Sequence, residues 1–92
     1  MRFEWDERKR RSNLNKHGLD FFDVNAVFEA PHIVAPSVYE GEEKRFLAIG
    51  TIEGRCVTVV YTTRSGVIRI ISFRRARHAE RQKYQELYGH GA

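Results

Sequence analysis

The sequence predicts an α+β domain, with two N-terminal helices and a C-terminal helix packed on a mainly antiparallel sheet. Three observations carry this expectation. Runs rich in β-branched and aromatic residues occupy about 44–52, 56–63 and 67–73, separated only by Glu53-Gly54 and Arg64-Ser65-Gly66. Such turns suit hairpins and are too short for parallel crossovers. Segments with helical caps and helical spacing stand before and after that block. Ninety-two residues support one modest core, so a single domain over 1–88 with a flexible tail at 89–92 is expected.

Phe3 and Trp5 flank Glu4 in a short alternating segment. Asp6 is a good N-cap for a helix over about 7–17, which Gly18 ends. Apart from Leu14 and the stems of its long side chains, this helix offers little to a core. Lys9, Asn13, Lys16 and His17, at i, i+4, i+7 and i+8, form a stripe suited to a charged ligand or a partner. Asp20 caps a second helix over about 21–29, whose Phe21, Val24 and Phe28 mark a core face before Ala30-Pro31 stops it. Residues 32–43 read as strand and loop.

In the meander that follows, Val57, Val59 and Tyr61 share one face of their strand, and Ile68 and Ile70 one face of the next, making a surface for helix two. The opposite face mixes Thr58, Thr62 and Arg69 with Cys56, Val60, Val67 and Ile71. It is too apolar for solvent alone, so a helix or a partner chain should cover part of it. In the last helix, about 76–88, Ala76, Ala79, Lys83 and Leu87 trace a packing stripe, and Arg77, Glu80, Arg81 and Tyr84 a polar one.

Sixteen Lys and Arg face twelve Asp and Glu, a net charge of +4, and the excess is clustered. Arg8-Lys9-Arg10-Arg11 forms one cluster, and residues 74–83 hold five more Lys or Arg. The two can converge on one polyanion, or they can be two solvated helix faces. No apolar run follows the N-terminal charges, so neither a signal peptide nor a membrane span is expected. A single cysteine, Cys56, excludes a disulfide framework and suits the reducing cytoplasm. His17, His32, His78 and His90 lack paired metal-ligand spacing, and no phosphate-binding glycine loop occurs, so neither a metal nor a nucleotide cofactor is expected.

Arginines at a strand end before a helix N-terminus make a plausible phosphate site, because guanidinium forks and backbone N–H groups can both meet the anion. RNA can be cut without a metal if a protein deprotonates the 2′-hydroxyl, stabilises the phosphorane and helps the 5′-oxygen leave. Glu80 or His17 can serve as base, Arg74, Arg77 and Arg81 can hold phosphate oxygens, and Tyr84 or His17 can donate a proton. Arg64 joins them only if its turn lies at the same sheet edge. A purely structural reading stands beside this one: Glu80 pairs with Arg77 or Lys83, Tyr84 caps the core, and His17 complements a helix C-terminus.

Trp5-Asp6, Lys9, Asn13, Lys16-His17-Gly18, Phe21, Val27-Phe28 and Pro31 resemble the N-terminal signature of BrnT toxins. Arg69-Ile70-Ile71-Ser72, Arg74, Ala76, Glu80-Arg81 and Tyr84 resemble the C-terminal one. The resemblance implies a RelE-like, metal-independent endoribonuclease toxin of a type II toxin–antitoxin pair, halting translation until a cognate BrnA-type antitoxin blocks it. It also implies a complex of two toxins with two antitoxins, touching DNA only through the antitoxin. On this reading Arg74, Glu80, Arg81, Tyr84 and His17 are catalytic candidates, and Lys9, Lys16, Arg64 and Arg77 face RNA. Phe73 stands where the family more often has a small residue, which should alter packing beside the site. The rival reading is a non-catalytic partner module that acts only as co-repressor.

Overall fold

The structure, a computed structural model, describes residues 1–38 and 41–89. The elements run β1 (Arg2–Glu4), α1 (Glu7–His17), a 3-10 turn (Phe21–Asp23) leading into α2 (Val24–Glu29), β2 (Ile33–Pro36), β3 (Phe46–Ile52), β4 (Arg55–Arg64), β5 (Val67–Arg75) and α3 (His78–Tyr88). The five strands form one sheet in the order β1-β5-β4-β3-β2. Neighbours from β2 to β5 are antiparallel, as the two-residue turns require for β3, β4 and β5. Both hairpin loops are two residues long, with positive φ at Glu53 and Gly54 and again at Ser65 and Gly66. Two successive left-handed residues match the twist of the flanking strands, and glycine supplies the second at no steric cost.

The N-terminal segment is a strand in its own right. β1 adds to β5 in parallel, pairing Phe3 with Ile68 and Glu4 with Arg69, and an ion pair of 2.7 Å joins the latter two. The sheet is therefore mixed at one edge.

A bulge in β5 sets which side chains share a face. Val60 pairs with Ser72 and Tyr61 with Ile70, leaving Ile71 as the extra residue. Strict alternation would put Arg74 on the face of Ile68 and Ile70. The bulge instead turns Phe73 inward and sends Ser72 and Arg74 to the opposite face, beside Thr58. Phe21, Val24, Val27 and Phe28 pack on the inward face against Ala48, Val57, Val59, Tyr61, Ile70 and Phe73. Phe73 is thus a core residue.

α3 covers part of the other face, as the mixed polarity of that face requires, but through a different side than its apolar spacing predicts. Glu80 and Tyr84 are the half-buried residues of α3, while Ala79, Lys83 and Leu87 face solvent, Leu87 at 57% exposure. Glu80 reaches the sheet by charge-assisted hydrogen bonds, and these prevail over the weak apolar stripe. The tail expected at 89–92 lies, from residue 90 on, outside the described residues, as do 39 and 40 of the expected strand and loop. Among the described residues no helix is long and apolar enough to cross a membrane.

Candidate functional site

α1 is held to the sheet by an amide rather than by apolar packing. β1 covers β5 only at Val67–Arg69, so the outer edge of β5 beyond that point would be open. Asn13 closes it. Its Nδ2 donates to the carbonyls of Phe73 (2.7 Å) and Leu19 (3.0 Å), and its Oδ1 accepts from the Phe73 N–H (3.2 Å). The side chain stands in for a further strand and is 8% exposed, whereas Leu14 is 38% exposed. Once α1 is docked in this way, Lys9, Ser12, Asn13, Lys16 and His17 meet Ile71 and Ser72 around a shallow pocket of about 200 Å³.

His17 is half-buried at that pocket. Burial, then the charges of Lys16 and Arg74, push its pKa below the ordinary 6.5. At neutral pH it is a neutral imidazole, able to accept a proton.

Arg74 stands next to Thr58 across the β4–β5 ladder. Its Nη1 and Nη2 meet the two oxygens of Glu80 at 2.8 and 3.0 Å, and Nη1 also donates to the Arg75 carbonyl at 3.2 Å. Each partner's side chain is 13% exposed. This geometry leaves the Arg74 Nε–H and one Nη2–H without a protein acceptor among the described residues.

Glu80 Oε1 accepts two further bonds, from the Thr58 hydroxyl (2.9 Å) and the Arg77 N–H (2.8 Å). Burial alone would raise the Glu80 pKa, but the bonds from Arg74, the Arg77 backbone and Thr58 outweigh it and hold the carboxyl at about 2. It is ionised, fully engaged and a very weak base.

Lys9, Lys16 and His17 thus line one pocket with Ser72, Arg74 lies two residues further along β5 and close enough for its charge to lower the His17 pKa, and Glu80 joins through Arg74. Arg77 is exposed and contributes its backbone N–H at the start of α3. Arg81 donates to the Ala76 carbonyl at 2.8 Å, bracing the junction between strand and helix. Tyr84 lies one turn beyond Glu80, its ring centroid 5.0 Å from that of Tyr88. Arg64 pairs with Val67 at the far end of β5, about 23 Å along the strand from Arg74. It binds Glu43 there at 2.6 Å, so the condition for its joining the site is not met. The basic run 8–11 also splits, because Arg10 is committed to Glu7 (2.6 Å), to Asp20 (3.1 Å) and to the face of Phe22 (4.8 Å).

Two contributors were not foreseen in these roles. The sequence places Asn13 on the ligand-facing stripe of α1, and Thr58 on the sheet face that a helix or partner should cover in part, without giving either a partner. One signal was present: Ile70-Ile71 followed by Ser72-Phe73 interrupts two-residue alternation, which is how a bulge looks in sequence.

The family model for BrnT, the ribonuclease toxin of a type II toxin–antitoxin system, matches residues 5–80. The match spans α1, the bulge, Arg74 and Glu80, and it stops short of Arg81 and Tyr84. No curated protein and no solved structure matches the chain.

Proposed function

This chain belongs to the BrnT family of type II ribonuclease toxins, and from that premise we propose that it cuts RNA at the pocket between α1 and β5. The observation that carries this reading is the Arg74 fork, fixed by Glu80 with two N–H groups unspent, two residues along β5 from Ser72, which lines the pocket beside the docked basic helix. A phosphodiester there meets the free edge of Arg74, with Lys9 and Lys16 on the α1 wall adding charge. The neutral His17 ring takes the proton of the 2′-hydroxyl, whose oxygen attacks the adjacent phosphorus. As the P–O5′ bond breaks, the products are a 2′,3′-cyclic phosphate and a 5′-hydroxyl. In an in-line attack the leaving oxygen departs opposite the nucleophile, so its proton comes from a group other than His17. Solvent water at this shallow pocket supplies it. A cognate antitoxin of BrnA type, in a complex of two toxins and two antitoxins, would neutralise the protein by covering this pocket and would carry the DNA contact.

The test is incubation of purified protein with single-stranded RNA, and with DNA of the same sequence, in chelator. RNA is expected to be cut and DNA to stay intact, with Arg74→Ala slower by roughly 100-fold, the loss typical of one preorganised oxyanion donor. Intact RNA, equal cutting of DNA, or an Arg74→Ala variant as fast as the parent would overturn the reading. Intact RNA would favour instead a co-repressor that acts only through its partner.

A further inference from the structure

Thr58 sits in the middle of β4 at 0% exposure, on the sheet face that carries Arg74. Valine would fill the same volume, and the neighbouring Val57 and Val59 show that this strand accepts it, so packing alone does not call for a hydroxyl. Among the described residues the one partner of its hydroxyl is Glu80 Oε1, the oxygen that also receives Arg74 Nη1 and the Arg77 N–H. Oε2 receives Arg74 alone. The rotation of the carboxylate is therefore set at Oε1, between the Thr58 hydroxyl on the strand and the Arg77 N–H on the helix. The plane of the carboxylate in turn sets the plane of the guanidinium, because two parallel N–H···O bonds hold the forks coplanar.

We propose that Thr58 is a positioning residue for RNA cleavage: by fixing Glu80 it sets the angle at which the free edge of Arg74 is presented, on the sheet face of Ser72, at the rim of the pocket. This rests on the reading that Arg74 holds the reacting phosphate. An arginine side chain has many rotamers, and an ion pair by itself restrains them weakly at a surface. A strand hydroxyl at a rigid, central position removes that freedom before substrate arrives. Misplacement of a charge-stabilising group by even ~1 Å can cost as much as ~100-fold in rate.

The experiment compares Thr58→Val, Thr58→Ser, Arg74→Ala and the double variant Thr58→Val/Arg74→Ala in chelator. Single-turnover cleavage of an oligoribonucleotide is followed together with affinity for the same strand made uncleavable by a 2′-deoxy sugar at the cut site. Thr58→Val is expected to lose roughly tenfold in rate, the order of one hydrogen bond to a charged group. Thr58→Ser should restore the rate to within about twofold, since it keeps the hydroxyl. In the Arg74→Ala background Thr58→Val should change neither rate nor affinity, because a residue acting only through Arg74 has nothing left to position. A Thr58→Val protein that cuts like the parent while Arg74→Ala does not would overturn the proposal and leave the site intact. The same loss from Thr58→Val with and without Arg74 would also overturn it, since that result reports a general effect on the fold. If Arg74→Ala itself cuts like the parent, the site reading fails and the positioning role falls with it.

Discussion

Replacing Asn13 by alanine should cost more stability than any substitution of an apolar residue in α1. The amide makes three bonds of 3.2 Å or less, two of them to the Phe73 backbone, within a site that is 8% exposed. Alanine leaves the Phe73 N–H and carbonyl without partners at an otherwise unpaired sheet edge. Each buried group left unsatisfied costs about 1–3 kcal/mol, so the pair amounts to ~2–5 kcal/mol, towards the low end if water enters. A domain of this size has only about 5–15 kcal/mol in all. At roughly 4–8 °C per kcal/mol the melting temperature should fall by ~8 °C or more. Leu14→Ala is the control: Leu14 is 38% exposed, and its loss should stay within about 0.5–1 kcal/mol. Urea titration and thermal melting followed by circular dichroism would measure both. If Asn13→Ala melts within a degree or two of the parent, or Leu14→Ala is the more damaging change, then α1 is held by something other than the amide.

Glu80 gives a pH dependence of defined sign. Its folded pKa of about 2 lies below the ordinary 4.5, so its contribution is fully present above about 4.5 and is lost as pH falls towards 2. A shift of that size corresponds to about 3 kcal/mol. Urea unfolding at pH 7, 5 and 3 should therefore show the parent losing more stability on acidification than Glu80→Gln, and equal losses would show that Glu80 does not carry the effect. His17 should govern cleavage, on the acid side of neutrality. With its pKa below 6.5, activity should rise with pH along an acid limb and level off before neutrality. His17→Gln should remove both the limb and most of the rate; an unchanged limb would assign the base to another group.

What could be read from the sequence was what short-range rules decide. Asp6 caps α1 through the N–H groups of Arg8 and Lys9, the two glycine turns close the hairpins, and Phe21, Val24 and Phe28 face the core. Each of these follows from chemistry within a few residues. β1 was harder, because Arg2–Glu4 is too short to display a period and its partner lies more than sixty residues away. The bulge at Ile71 moved Arg74 to the other face of the sheet, which no count from Ile68 anticipates. Helical spacing offers Glu80 a partner along its own helix, Arg77 or Lys83, beside the alternative of a catalytic base. Its partner is instead a strand residue, because Arg74 and Thr58 are side by side beneath α3 and offer hydrogen bonds in a nearly dry place. The set of residues near the site was therefore largely legible, whereas their division of labour depended on a change of face and on a buried hydroxyl.

The junction between β5 and α3 sets four guanidiniums, on Arg74, Arg75, Arg77 and Arg81, against one carboxylate, Glu80. The positive end of the helix dipole adds to that excess, at a cost of about 0.3–1 kcal/mol per badly placed charge. Glu80 offsets part of it by accepting from both the Arg77 N–H and the Arg74 fork, but its four bonds exhaust it. Lys9 and Lys16 increase the excess from across the pocket. A protein selected for stability alone would place a second acid here. An anion bound at the proposed site would supply the missing charge, and its binding would relieve a repulsion that the fold leaves in place. Both the repulsion and its relief are electrostatic and exposed to solvent ions, and RNA affinity must therefore weaken steeply as salt rises.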